Sequence, residues 1–297
     1  MTLSLSVVII TYNEEANLAR TLESVQPLVS DGKGEIIVVD SGSTDRTVEI
    51  AKSYGAKVFV EEWKGFAAQK NSAIDKARGD WILSLDADEE VSVELSTELD
   101  ELVSLQPGAS IHKLSIPGAR QACIEGKDVL FVTFDDQREG PLAGAQLPRR
   151  NFFLGRWMRH GGFYPDPKLR FFLRESAVFE NRRVHEDAHT TGYVVRLQGS
   201  LIHHSYPMLS DYIEHMNRYS SLGSEMLAAK ANGKVRFSVI NIVLRPLLTF
   251  VYNYFFRLGF MDGREGLLLH LYHAVYVSWK YAKAWELSRR KPDRPVD

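Results

Sequence analysis

The most informative stretch of this sequence is Trp81–Asp88 (WILSLDAD), a short apolar run that two carboxylates follow at once. A run of this length without alternating polar residues is typical of a strand buried on both faces of a parallel sheet. We therefore predict a strand over Trp81–Leu85 that ends at Asp86. Asp86 and Asp88 then lie in a loop at the edge of the sheet.

The preceding eighty residues repeat this pattern, with strand signals that alternate with helix signals. Such alternation indicates an α/β domain with a mostly parallel central sheet, in which ligands bind beyond the carboxyl ends of the strands. Strands are predicted at Leu5–Thr11 (LSVVIIT), Glu35–Val39 (EIIVV) and Lys57–Val60, and helices at Ala16–Val29, Thr44–Tyr54 and Ala67–Ala77. Polar clusters follow three of the strands: Thr11–Glu15 (TYNEE), Asp40–Ser43 (DSGS) and Asp86–Glu89 (DADE).

Composition and charge exclude several classes of protein. The 297 residues include one cysteine, Cys123, which excludes a disulfide scaffold and a cysteine-rich zinc module and fits a reducing compartment. No signal peptide is predicted at the start of the sequence. The net charge of −2 is unevenly spread: residues 1–105 hold 9 Lys and Arg against 20 Asp and Glu, whereas residues 230–297 hold 12 against 5. Without a basic stripe along the chain, nucleic acid is not expected as the partner.

The C-terminal part is apolar but interrupted by charges. Eleven uncharged residues separate Arg245 from Arg257, and 14 separate Glu265 from Lys280. A membrane span needs about 20 apolar residues, so we predict amphipathic helices that lie on a membrane surface. A helical pair packed on the rest of the protein is the alternative. We place a catalytic domain at 1–232, with a candidate insertion at about 109–146, and the membrane-association region at 233–297.

The polar clusters favour binding of a phosphate-bearing ligand with a metal ion. Two carboxylates at Asp86-x-Asp88 suit a hard divalent cation such as Mg²⁺ or Mn²⁺. Asp40 is either a carboxylate that accepts hydrogen bonds from a nucleotide or part of the start of the next helix. No Gly-x-Gly-x-x-Gly or Walker loop follows the early strands, so the metal and cationic side chains are expected to hold the phosphates.

Four segments carry a resemblance to the inverting glycosyltransferases of family 2, which have the nucleotide-sugar-binding GT-A fold. The segments are Ser6–Glu14, Glu35–Asp45, Gly65–Asn71 and Gly79–Glu89. Further stretches resemble the bacterial lipopolysaccharide-core glucosyltransferases of the WaaE/KdtX type. These are Asn151–Arg170, Val184–Glu186, His203–Tyr206 and Leu258–Gly266.

The resemblance implies transfer of a sugar, expected to be glucose from UDP-glucose, to a heptose of the lipopolysaccharide inner core. The enzyme would work in the cytoplasm, peripherally bound to the inner face of the plasma membrane. The alternatives are another nucleotide sugar with a lipid-linked polysaccharide intermediate, and a non-catalytic glycan-binding relative. Donor binding is assigned to Thr11, Tyr12, Glu14, Asp40, Lys70, Arg78 and Asp86, and a Mn²⁺ or Mg²⁺ ion to Asp88, Asp86 and His203.

An inverting transfer also needs a base for the acceptor hydroxyl. Glu186 matches the family position, and Asp187 is the second choice. His185–His189 (HEDAH) also fits the H-E-x-x-H pattern of zinc proteases, which requires a helix. The polar and β-prone flanks make that remote alternative the weaker one.

The segment from Arg156 to Arg170 is predicted to bind the acceptor. Tryptophan offers a flat face to a sugar ring, and arginine suits phosphate or carboxylate groups. A buried layer of arginine and aromatic side chains is the alternative. The candidate residues are Arg156, Trp157, His160, Asp166 and Arg170.

Overall fold

The computed structural model describes residues 4–104, 111–116, 119–124, 127–129, 142–180, 188–232 and 234–289. They belong to two compact units: unit 1 is Met1–Arg150 with Asp166–His203, and unit 2 is Asn151–Pro165 with His204–Asp297. The helix before residue 232 therefore groups in space with the C-terminal helices. Where the catalytic domain ends functionally, predicted at 232, stays a prediction.

The strands of both units, numbered along the chain, are β1 (Leu5–Thr11), β2 (Gly34–Asp40), β3 (Lys57–Val60), β4 (Trp81–Asp86), β5 (Glu89–Val91), β6 (Ile111–Ile116), β7 (Ala119–Ile124), β8 (Lys127–Val129), β9 (Leu142–Leu147), β10 (Arg149–Phe153), β11 (Arg156–Trp157), β12 (Lys168–Leu173), β13 (Ala177–Phe179), β14 (Ala188–Thr190), β15 (Tyr193–Arg196) and β16 (Leu201–Tyr206). Unit 1 is built on a seven-stranded sheet with the strand order β15-β9-β12-β4-β1-β2-β3. Strands β4, β1, β2 and β3 are parallel, and so are β15 and β9. Only β12 runs antiparallel to both of its neighbours in this sheet.

The central strands are mostly apolar because both faces of the sheet are covered. Val7 and Ile9 of β1 pack in one buried cluster, and Val8 packs in the other. This follows from the alternation of side chains along a strand. The helices of unit 1 are α1 (Leu18–Val29), α2 (Thr47–Ser53), α3 (Phe66–Asp75) and α4 (Val93–Val103). The predicted α/β class with a mostly parallel sheet is confirmed.

Strands β6 to β9 cover most of the described part of the candidate insertion. Strands β6, β7 and β8 form an antiparallel sheet within the candidate insertion. Strand β9, however, pairs with β12 and β15 in the central sheet. The last residues of the candidate insertion at about 109–146 thus contribute a strand to the central sheet, and the insertion itself stays a prediction.

Unit 2 is mostly helical. Its buried apolar cluster is formed by Phe153, Met158, Tyr212 and Leu269. The helix Gly263–Arg289 packs along the helix Leu209–Lys230. The helices of unit 2 are α5 (Leu209–Lys230), a π-helical turn (Ile240–Leu244), α6 (Arg245–Val251), a second π-helical turn (Tyr252–Phe256), a 3-10 turn (Gly259–Asp262) and α7 (Gly263–Arg289).

The chain around α6 leaves many large apolar side chains in solvent. Phe256 is 75% exposed, Ile240 64% and Val243 58%. Among the described residues, no helix has the length and apolarity that crossing a membrane requires.

Candidate functional site

The carboxyl edge of the sheet in unit 1 brings the predicted polar clusters together. The loop after β1 is tied to the loop after β2: Thr44 N–H donates to Asn13 Oδ1 at 2.8 Å, and Glu14 N–H donates to Thr47 Oγ1 at 2.7 Å. Asn13 has a φ of 54°, which asparagine tolerates better than most residues. Between these ties, the Tyr12 side chain is 58% exposed. The two loops thus form one fixed platform with a free aromatic ring.

Asp40 supports this platform from below. It is fully buried, and four hydrogen bonds reach its carboxylate: from Thr11 Oγ1, Gly42 N, Ser43 N and Ser43 Oγ, at 2.5 to 3.0 Å. Four bonds use the accepting capacity of a carboxylate. Asp40, with the buried Thr11, therefore shapes this loop, and its predicted direct contact with a nucleotide stays a prediction.

Asp86, at the end of β4, lies in a network of buried charges. Lys70 Nζ is 2.7 Å from Asp86 Oδ1, and Arg170 Nη2 pairs with Asp86 Oδ2. Burial alone would raise the pKa of Asp86, but Arg170 and Lys70 lower it well below the ordinary value. Asp86 is therefore a fixed carboxylate anion whose side chain is 32% exposed.

Glu89 and Arg149 complete this network, and sequence reasoning missed both. Glu89 is fully buried, and its Oε1 is 3.2 Å from both Arg149 Nη1 and Arg170 Nη2. Arg149 also binds Asp166 at 2.7 Å. The acidic run Asp86–Glu90 was the available signal for Glu89, but nothing in the sequence says which arginine faces it.

The same network holds two residues that the sequence assigned to acceptor binding, a role that stays a prediction. Arg170 is buried, and it pairs with the carboxylates behind Asp86. Asp166 is paired with Arg149 and lies 3.4 Å from Lys168. Both residues thus belong to the charge network of unit 1, in which each charge is compensated by a neighbour.

Asp88 faces a different partner. Asp88 Oδ2 is 3.2 Å from His203 Nε2, and both side chains are largely covered, at 26% and 16% exposed. Burial would raise the pKa of Asp88, but His203 lowers it. Burial raises the pKa of Glu14, and the nearby Asp88, Asp45 and Asp86 raise it further. The edge is thus rich in negative charge around Asp88.

Arg78 does not join this group. Its guanidinium is 3.2 Å from Glu35 Oε2, at the start of β2 and therefore at the opposite edge of the parallel sheet. Glu35 is buried, and it also binds Lys57 at 2.6 Å. The donor-binding role of Arg78 stays a prediction; in the structure its cation compensates Glu35, far from Asp40 and Asp86 along the strands.

Three predicted acceptor residues lie in unit 2. The guanidinium of Arg159 lies 4.2 Å from the centre of the Trp157 ring, and His160 Nδ1 is 2.8 Å from Asp262 Oδ1. Arg156 is exposed, and its Nη1 is 3.7 Å from Glu265 Oε2. The structure thus brings Arg156, Trp157 and His160 together with residues that sequence reasoning did not include.

The predicted bases Glu186 and Asp187 lie outside the described residues, and so does His185. His189 is described and belongs to β14, where it pairs with Val178 of β13 in antiparallel register. A zinc-protease motif needs both histidines on one face of a helix. A strand at His189 contradicts that remote alternative.

A carboxylate-lined edge of a mostly parallel sheet, with an exposed ring and fixed anions, is the kind of site at which α/β enzymes bind their ligands. Residues 6–104 match the model of glycosyl transferase family 2. An uncharacterised glycosyltransferase of Rickettsia typhi is 30% identical over 286 residues, which cover 96% of this chain and 87% of that protein. The chain belongs to glycosyltransferase family 2 and is a transferase.

Two further likenesses bracket this assignment. The lipopolysaccharide core biosynthesis glycosyltransferase LpsC of Rhizobium meliloti is 26% identical over 302 residues, covering 99% of this chain and 97% of that protein. The crystal structure of TarS 1–349 from S. aureus is 16% identical with a TM-score of 0.41, covering 95% of this chain and 90% of that one. That TM-score is too low to bear on substrates.

Proposed function

We propose that this protein transfers glucose from UDP-glucose, with inversion, to a heptose of the lipopolysaccharide inner core. The observation that carries the acceptor class is the likeness to LpsC, because it extends over nearly the whole of both chains. The carboxyl edge of unit 1 supports a nucleotide-sugar donor. The resemblance of the sequence motifs supplies UDP and glucose.

The donor contacts follow from what the edge leaves accessible. Tyr12 offers its ring face to the base. Asp86, held rigid by Lys70 and Arg170, offers carboxylate oxygens to the ribose hydroxyls. Arg170 and Lys70 are both buried, so their contribution is to keep Asp86 ionised and in place. Glu14 completes the proposed site beside Asp88.

Asp88 and His203 fit a divalent cation. A carboxylate oxygen and an imidazole nitrogen 3.2 Å apart are both suitable donors for Mn²⁺. Among the described residues no three such side chains converge, so water and the donor's phosphates would supply the remaining ligands. Asp86 is the weaker candidate ligand because two cations already compensate it. When bound, the ion would neutralise the charge that builds on the leaving diphosphate.

The acceptor hydroxyl must lose its proton as it attacks the anomeric carbon of the sugar. We assign the base to Glu186, with Asp187 second, on the resemblance of Val184–Asp187 to the family. Asn71 holds strand β13, which precedes this segment. Asn71 Nδ2 donates to the Phe179 carbonyl oxygen at 2.9 Å, and Phe179 N–H donates to Asn71 Oδ1 at 3.0 Å.

Metal and donor are tested together. Titration of UDP-sugars into the full chain should show binding that requires Mn²⁺ or Mg²⁺ and that EDTA abolishes. Asp88→Asn removes the anionic oxygen, so donor affinity and transfer should both fall at least tenfold, because a hydrogen bond or contact to a charged group is worth about 1.5–3 kcal/mol. Asp100→Asn, an exposed partner of Lys33, is the control. Full transfer in chelator would contradict the metal, and preference for another nucleotide sugar would contradict glucose.

The exposed apolar surface of unit 2 supports a peripheral site on the membrane. The groove beside α6 has a volume of about 370 Å³ and is lined by Ile240, Leu244, Arg245, Leu248, Thr249 and Tyr252. Soluble proteins rarely expose large contiguous apolar patches without a partner. The excess of Lys and Arg beyond residue 230 suits anionic lipid. A lipid-linked polysaccharide intermediate, the alternative acceptor, would also be met at this surface.

We expect the full chain to bind vesicles of anionic phospholipid, and to bind less as salt rises. Phe255→Ser with Phe256→Ser should weaken vesicle binding about tenfold or more, since burying one phenylalanine is worth about 1.5–3 kcal/mol. Phe59→Ser with Phe66→Ser, at exposed sites in unit 1, is the matched control. Equal sedimentation of both double variants with vesicles would refute the assignment of the lipid-facing surface.

A further inference from the structure

We propose that His160 and Asp262 form a dyad in unit 2 that binds a sugar carrying an anionic group. His160 would accept a hydrogen bond from a sugar hydroxyl, and Arg257 and Arg156 would bind the anion. The proposal rests on the proposed glycan acceptor and names the chemistry by which the protein would recognise it.

The geometry of the dyad fixes one form of the imidazole. Both oxygens of Asp262 face His160: Oδ2 accepts from the His160 backbone N–H at 2.9 Å, and Oδ1 is 2.8 Å from Nδ1. A carboxylate can only accept, so Nδ1 carries the proton. In the neutral ring, the lone pair is then on Nε2. Asp262 is thereby a positioning residue for His160.

The two side chains of the pair differ in exposure. The Asp262 side chain is 3% exposed, whereas that of His160 is 28% exposed. The carboxylate is thus covered and committed to one residue, while the ring keeps an accessible edge. A buried acid that orients a half-exposed histidine is costly for stability alone, because a buried charge needs full compensation. This cost is understandable if the accessible ring edge binds a ligand.

Two arginines lie beside the dyad. The guanidinium of Arg257 lies against Gly162, where a Cβ atom would be 2.1 Å from Arg257 Nη1. Gly162 also has a φ of 90°, which glycine adopts without strain. Arg156 lies against Gly263, the neighbour of Asp262. Both arginines are exposed, and guanidinium groups suit carboxylate and phosphate oxygens.

A second histidine, His270, is buried next to the dyad. His270 is 2% exposed, and neither ring nitrogen has a hydrogen-bond partner among the described residues. Its ring lies directly under Gly161, where a Cβ atom would be 2.0 Å from Cε1. Burial, with His273 and Arg257 nearby, lowers the pKa of His270 to about 4, although Asp262 acts in the opposite direction. A neutral imidazole without a hydrogen-bond partner there is the kind of buried polar group that an ordered water satisfies.

The experiment uses the full chain labelled with ¹⁵N-histidine, without donor or transfer. The His160 resonances, identified by their loss in His160→Gln, should report the Nδ1–H tautomer. Mannose 6-phosphate should shift Nε2 and bind more tightly than mannose or inorganic phosphate alone. Arg257→Ala should weaken that binding about tenfold, as expected for a charge-assisted hydrogen bond, whereas Arg264→Ala, a 90% exposed side chain, should not.

In Asp262→Asn, His160 should no longer be held in the Nδ1–H tautomer, and mannose 6-phosphate should no longer shift the Nε2 resonance. If that variant does not fold, the Arg257 and Arg264 variants decide. The proposal is overturned by the Nε2–H tautomer in the wild type, by equal affinity for phosphate and sugar phosphate, or by wild-type affinity in Arg257→Ala. Because no nucleotide sugar is present, failure here leaves the donor test above unaffected, so the two proposals fail separately.

Discussion

Glu186→Gln should lower the turnover of sugar transfer about 10²–10⁴-fold, the usual contribution of a general base. Glutamine preserves size and hydrogen bonding but cannot take the acceptor's proton. Affinity for the UDP-sugar should stay within about twofold, because the proposed donor contacts lie at Tyr12 and Asp86. Single-turnover kinetics with calorimetric donor binding separates the two effects.

Three control variants make this result specific. Glu180→Gln changes an exposed carboxylate 3.8 Å from His189 and should leave turnover unchanged. Asp187→Asn should have a smaller effect than Glu186→Gln. Normal turnover in Glu186→Gln with an inactive Asp187→Asn would move the base by one residue, and activity in both would refute a carboxylate base in this segment. His189→Ala should retain the divalent-ion dependence, unlike a zinc protease.

The sequence predicted the sheet well because its evidence is local. Strands buried on both faces are mostly apolar, and β1, β2 and β4 are nearly continuous apolar runs in which Ser6, Glu35 and Ser84 are buried polar exceptions. The predicted strand at Lys57–Val60 coincides with β3, and the predicted helix starts differ from the observed ones by one to three residues. Boundaries shift because caps and first turns depend on contacts beyond the local pattern.

The site was harder to predict because ion pairs join residues distant in sequence. Arg170 and Asp86 are 84 positions apart, and His160 and Asp262 are 102 apart. Local pattern shows that arginine is present but not which carboxylate it compensates. For this reason the sequence did not show the partners of Arg78 and Arg170. An arginine side chain suits phosphate, yet each of these two is paired with a buried glutamate. Arg78 pairs with Glu35 at the start of the parallel strands, and Arg170 pairs with Glu89 near their carboxyl ends.

Of the variants proposed here, Arg170→Met should have the largest effect on stability, and Arg78→Met is its matched control. Arg170→Met leaves Glu89, fully buried, and Asp86 with one cation fewer each. Breaking a buried pair costs about 3–5 kcal/mol, and because Lys70 and Arg149 remain, we expect about 3 kcal/mol in the free energy of unfolding by urea. Arg78→Met, an arginine with a 65% exposed side chain, should cost about 1 kcal/mol or less and leave donor affinity unchanged.

The pH dependence of unfolding identifies the cause. Asp86 has a folded pKa held below its ordinary 3.8 by Arg170 and Lys70, so the ion pair stabilises the fold fully above pH 3.8. The contribution is lost as the pH falls below that value, since the unfolded chain then binds the proton first. The gap in stability between wild type and Arg170→Met should therefore narrow in acid. Adding Glu89→Gln to Arg170→Met should recover part of the loss, because it removes the uncompensated buried charge. A gap that is constant with pH and strictly additive double-mutant losses would instead assign Arg170 a packing role.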